Sequence, residues 1–64
     1  MSMWNKIEDL KPEKDKAIIG LWLHGNLYKV LVGVLYDLRP NCVIDFGTGK
    51  WMEITHWTYV PEDN

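Results

Sequence analysis

Hydrophobic side chains dominate positions 17–36, and most of them are β-branched, leucine or aromatic. Such residues suit a pleated surface, and Gly20, Gly25 and Gly33 count against a long helix. Gly25-Asn26 lies at the midpoint of the run. Glycine at the first central position suits a type II′ turn, so the stretch reads as a β-hairpin. That turn fixes a register. It pairs Leu23 with Tyr28, Leu21 with Val30, Ile19 with Val32 and Ala17 with Val34, and every pair on this face is apolar or aromatic. The other face pairs His24 with Leu27, Trp22 with Lys29, Gly20 with Leu31 and Ile18 with Gly33. A slip of one residue would mix the faces, so the pattern specifies the pairing. The first face is expected to be the core. The second has two glycines, which leaves room for another segment to lie across it.

The remainder is organised around this hairpin. Residues 4–16 are polar and broken by Pro12, and read as an irregular lead-in with one turn of helix at most. Asp37-Leu38-Arg39-Pro40-Asn41 is a turn. Cys42 to Phe46 forms a short strand, and Gly47-Thr48-Gly49 a three-residue hairpin loop with a glycine in the left-handed region. This loop pairs Ile44 with Met52 and Cys42 with Ile54 on one face, and Asp45 with Trp51 and Val43 with Glu53 on the other. Strict alternation then carries Trp51, Glu53, Thr55, Trp57 and Tyr59 to the second face. His56 and Thr58 follow Ile54 inward, unless a bulge near Thr55 reverses the last part. The expected fold is mainly β. It is one small antiparallel sheet of about four strands in two consecutive hairpins, in the order 1-2-3-4. The sheet curls like a half-barrel, with Trp4 and Ile7 closing one side.

Size and charge narrow the picture. The 64 residues make one domain, 1–64. Domains this small usually need a disulfide, a metal or a partner. The single cysteine, Cys42, excludes an intramolecular disulfide and reads as a small buried apolar side chain. Four strands cannot bury both faces of two hairpins, which leaves a homodimer open. The net charge of −2 gives no global field for nucleic acid. Lys6, Lys11, Lys14 and Lys16 are interleaved with Glu8, Asp9, Glu13 and Asp15, as on a solvated segment. No apolar run reaches the ~20 residues that cross a bilayer. Met1-Ser2-Met3-Trp4 has neither a basic start nor an apolar core of a secretory signal. A cytoplasmic location, without membrane contact, is the expectation.

Both ends of the chain carry a further pattern. Trp4-x-x-Ile7-x-Asp9-Leu10-x-Pro12-Glu13 opens it, and Ile54-Thr55-His56-Trp57-x-x-x-Pro61-Glu62 closes it. Together they resemble the domain of unknown function 551, a family of small proteins largely from bacteriophages and prophages. Its members typically begin with Trp and a Leu-Pro-Glu element, and end near Thr-His-Trp with a proline-rich tail. Where the family often has Met-Pro-Leu-Pro, this chain has Thr58-Tyr59-Val60-Pro61. The resemblance spans Trp4 to Glu62 and implies a phage or prophage origin. It implies no activity, because the family has no general biochemical assignment.

Candidate chemistry is sparse. His24, His56 and Cys42 have no closely spaced partner, so a structural zinc site is not expected. Cys42 and His56 lie one diagonal step apart in the proposed pairing. A nucleophilic pair needs contact and an oxyanion hole, and no glycine nest or helix terminus supplies one. His56 reads as a hydrogen-bonded structural residue. Gly47-Thr48-Gly49-Lys50 lacks the spacing and the helix of a phosphate loop. No catalytic residue, metal or cofactor is therefore expected, and the chain does not read as an enzyme.

The aromatic set is the candidate contact surface. Four tryptophans is a high number for this length. Under strict alternation Trp22, Trp51, Trp57 and Tyr59 share the mixed face, with Lys29, Asp45 and Glu53 as a polar rim. Large, rigid aromatic side chains favour contact anchors. In the competing reading Trp4 and the lead-in cover this face and bury two of its three tryptophans. The leading expectation is a phage accessory protein that binds and inhibits a host protein, in host takeover or anti-defence. The alternatives are an oligomeric nucleotide binder or trap, and a single-stranded nucleic-acid binder, which the negative charge disfavours.

Overall fold

In the computed structural model, which describes residues 3–61, the chain runs through six short strands. They are β1 (Asn5–Lys6), β2 (Ile18–His24), β3 (Leu27–Leu35), β4 (Cys42–Asp45), β5 (Trp51–Glu53) and β6 (His56–Tyr59). They form one antiparallel sheet in the order β1-β6-β2-β3-β4-β5, not closed into a barrel. No helix occurs among the described residues, so the mainly β expectation holds. Met1, Ser2 and the acidic end Glu62-Asp63-Asn64, including the Glu62 of the family pattern, lie outside the described residues.

The first hairpin has the expected register from Ile18 opposite Gly33 to His24 opposite Leu27. Gly25 takes a positive φ of 63° and Asn26 does not, which makes the turn type II′. The lead-in is irregular, with one tight turn where the Asp9 and Leu10 N–H groups both donate to the Lys6 carbonyl.

The expected core face is the wrong one. Leu23, Tyr28, Val30 and Val32 are exposed, while Ile18, Gly20, Leu31 and Gly33 are buried. The core is Ile7, Ile18, Leu31, Val43, Ile54 and Trp57, flanked by Leu35, Met52 and Tyr59. Alternation did not discriminate, because both faces of the hairpin are apolar. The two glycines decide the matter. A Cβ on Gly20 would lie 3.2 Å from the side chains of both Ile54 and Leu31, so this glycine marks where the crossing chain packs.

The last strand is likewise not a simple continuation. β5 pairs with β4, but β6 lies beyond β2, where Gly20 faces Trp57 and Ile18 faces Tyr59. Ile54 and Thr55 carry the chain across the open side of the sheet. The Ile54 N–H donates to the Asn41 carbonyl at 2.9 Å, and the Thr55 N–H to the Leu21 carbonyl at 2.8 Å. The Ile7 N–H then donates to the Thr55 carbonyl at 3.0 Å. Ile54 and Trp57 are both buried although three residues apart, so inward pointing changes parity at Thr55. His56 and Thr58 therefore do not follow Ile54 inward; Trp57 and Tyr59 do.

Thr55 fastens this crossing. Its hydroxyl donates to the Leu21 carbonyl at 3.1 Å and accepts the Leu23 N–H at 3.0 Å. His56 Nδ1 lies 2.7 Å from the same oxygen. One hydroxyl hydrogen serves only one acceptor, so in the tautomer that carries a proton on Nδ1 the imidazole donates to this oxygen while the hydroxyl donates to Leu21. Thr55→Val should lose roughly 1–2 kcal/mol, at 0.5–1.5 kcal/mol per net hydrogen bond. In a domain this size that lowers the melting temperature by roughly 4–16 °C. Calorimetry of the variant checks it, and an unchanged melting temperature would show that the crossing holds without the hydroxyl.

Candidate functional site

The second hairpin sorts the candidate residues. Its register is one residue away from the expected one: Ile44 faces Trp51, Val43 faces Met52 and Cys42 faces Glu53. The loop is longer than three residues, with the Asp45 N–H donating to the Lys50 carbonyl and the Gly49 N–H to the Asp45 carbonyl. Gly49 holds the expected positive φ, 73°. β4 is also turned over, with Val43 buried and Ile44 on the outer side, so Met52 lies inward opposite Val43 and Trp51 outward as expected, but on the opposite side of the sheet from Trp22. Trp51 is 45% exposed, with the Arg39 guanidinium 4.1 Å from its ring centre.

Trp57 and Tyr59 leave the contact surface altogether. Trp57 is 1% exposed, and its indole N–H donates to the Leu10 carbonyl at 2.7 Å. Tyr59 stands edge-on to Trp57 at 4.8 Å, and its hydroxyl accepts the Glu13 N–H at 2.9 Å. Both therefore anchor the lead-in against the sheet. Asp45 is a turn holder, its carboxylate accepting the Gly47 N–H at 2.7 Å. The competing reading was correct for Trp57 and incorrect for Trp51.

Trp22, Lys29 and Glu53 do come together. With Leu27, Tyr28 and Met52 they line an open groove of about 450 Å³. Trp22 stacks on His24 with ring centres 5.4 Å apart and planes 9° from parallel. The walls are apolar, and one cation and one carboxylate sit among them. Met52 and Leu27 were not among the candidate contact residues, although alternation placed Met52 inward on the face of Ile54.

The same groove runs beside an unpaired strand edge. The Leu21 carbonyl and the Leu23 N–H point toward Thr55, away from β3. In an antiparallel ladder these directions alternate, so Trp22 and His24 bond to β3. Leu27, Lys29 and Leu31 therefore bond back to β2, and Tyr28 and Val30 direct their N–H and C=O groups outward. β4 covers this side of β3 only from Gly33 to Leu35, with two further bonds, from the Phe46 N–H to the Val32 carbonyl and from the Tyr36 N–H to the Cys42 carbonyl. Tyr28 and Val30 thus offer backbone donors and acceptors to solvent, and their side chains are 70% and 56% exposed.

The reactive side chains are dispersed. Cys42 is buried on β4, and β2 and β3 separate that strand from His56 on β6. Burial pushes the Cys42 thiol above its ordinary pKa; the Glu53 carboxylate adds to this and Arg39 opposes it. A raised pKa leaves less thiolate at neutral pH, the opposite of an activated nucleophile. No group of three or more His, Cys, Asp or Glu able to hold a metal occurs among the described residues. No helix among them is long and apolar enough to cross a membrane. Against known proteins, the chain matches no family model, no curated protein and no solved structure.

Proposed function

We propose that this chain is a protein-binding module that takes up an extended segment of its partner along the open edge of β3. The observation that carries this reading is the outward backbone of Tyr28 and Val30 beside the Trp22 groove. Strand addition supplies affinity through main-chain hydrogen bonds and specificity through alternate side chains. A segment paired with Tyr28 and Val30 would send every second side chain toward Trp22, Leu27 and Met52. Lys29 and Glu53 would select the flanking charges. The resemblance of the two chain ends to phage and prophage proteins supports a host protein as that partner. Occupying its surface would inhibit it.

The test is capture of the partner from bacterial cells, followed by amide hydrogen exchange on the complex. The Tyr28 and Val30 amides should become protected on binding. Tyr28→Pro removes an outward N–H that the β2–β3 ladder does not use, and edge strands tolerate such a proline. It should weaken binding roughly tenfold or more, the equivalent of one good hydrogen bond at about 1.4 kcal/mol. A complex in which both amides exchange as fast as in the free protein would sink the reading. Binding of a nucleotide in the groove with no protein partner would instead favour the trap.

A further inference from the structure

We infer that the outer face of the sheet is the interface of a symmetric homodimer, with two copies packed sheet against sheet. Its side chains lie on the other face of the sheet from Trp22, Lys29 and Met52, although Tyr28 also borders the groove. On the outer face Leu23 lies opposite Tyr28, Leu21 opposite Val30, Ile19 opposite Val32, and Val34 beside Ile44 and Trp51. None of these positions is charged, and the charges of this face lie at its margins: Lys6 opposite His56, Glu53 opposite Cys42, and the Arg39 guanidinium 4.1 Å from the Trp51 ring centre. His56 and Thr58 border the face on β6, opposite Leu21 and Ile19, so an apolar centre meets a polar margin. That is the anatomy of an interface, and a centre without charge is the type found between identical subunits.

The extent of the patch points to the same occupant. Leu23, Tyr28, Val30, Val32, Phe46 and Trp51 are all exposed large hydrophobic residues. Together they show roughly 600 Å² to water, taking 150–250 Å² for a whole aromatic side chain and somewhat less for an aliphatic one. That matches the top of the range for the largest apolar patch of a monomer, about 300–600 Å². It also approaches the ~800 Å² that each partner buries in a standard stable interface. The domain has further reason to use it. Cys42 is a lone cysteine, no metal cluster occurs among the described residues, and oligomerisation is the remaining common staple for a chain this short.

Analytical ultracentrifugation tests the assignment, alongside the melting temperature as a function of protein concentration. The wild type should sediment at twice the mass of one chain at micromolar concentration. Its melting temperature should rise with concentration, as linkage requires for a dimer. Val30→Lys, at a position already exposed in one copy, should sediment as a folded monomer. Lys29→Glu, on the groove side, should stay dimeric, so failure of the groove reading and failure of this one are separable. Should Val30→Lys not fold, the wild-type concentration dependence decides alone. A wild type that is monomeric with a concentration-independent melting temperature overturns the inference, as does a Val30→Lys variant that remains dimeric. Association of the monomeric wild type with a different protein through this face overturns it equally.

Discussion

Trp57→Ala should abolish the fold. Trp57 is the largest fully buried side chain, packed with Ile7, Ile18 and Ile54 where the last strand meets Gly20. Removing a buried Trp typically costs about 3–5 kcal/mol. A single core of this size rarely supplies more than ~3–5 kcal/mol in total. The substitution also removes the indole N–H that holds the Leu10 carbonyl, one of the ties between the lead-in and β6. Trp57→Phe separates the two contributions. It keeps most of the ring volume and loses the hydrogen bond, so it should remain folded with a stability lower by about 1–3 kcal/mol. Circular dichroism with urea titration reads both. An alanine variant that unfolds at the wild-type midpoint would show that Trp57 is not central to the core.

Gly33→Ala should be as damaging, for a different reason. A Cβ at Gly33 would fall 1.9 Å from the Ile44 carbonyl oxygen and 2.9 Å from its carbon. Both atoms belong to the backbone of β4, directly across the ladder where Gly33 faces Asp45. Paired strands lie ~4.8 Å apart, and no rotamer change can move a carbonyl out of the way. Either the β3–β4 pairing opens or the domain unfolds, a loss of at least the ~3 kcal/mol that marks the upper end of ordinary overpacking. Gly20→Ala is the internal comparison. Its new methyl would meet only the side chains of Ile54 and Leu31, at 3.2 Å, and these can shift. Two-dimensional NMR should show a folded Gly20→Ala and a collapsed or unfolded Gly33→Ala. A well-dispersed spectrum for Gly33→Ala, with Asp45 still paired, would contradict the close approach.

These two sites show why legibility was uneven. The register of the first hairpin was readable because a two-residue glycine turn and two alternating faces agree on it. The direction of those faces was not, since Ile19, Leu21 and Val30 are as apolar as Ile18 and Leu31. The second hairpin misled by one residue, because its loop extends to Phe46 and Lys50 rather than stopping at the glycines. With β4 turned over as well, Met52 and Trp51 keep their expected inward and outward directions, while Trp22 lies on the inner side, so the two tryptophans part. Of the candidate contact residues, Trp22, Lys29 and Glu53 line one groove, Trp51 stays exposed on the other face, and Asp45, Trp57 and Tyr59 perform structural tasks. The reading of Trp57 depended on a parity change at Thr55 that nothing short of the crossing geometry could reveal.

A mainly antiparallel sheet, the pairing of Ile18–His24 with Leu27–Leu35, the turn at Gly25 and an irregular lead-in are all written in the residue pattern. Local sterics and side-chain alternation suffice for those, because each involves neighbours close along the chain. Which face is inside, and that β6 crosses to β2, emerge only in the folded chain. Those choices depend on where Ile54, Thr55 and Trp57 land, contacts between residues more than thirty positions apart along the chain, which no local pattern encodes.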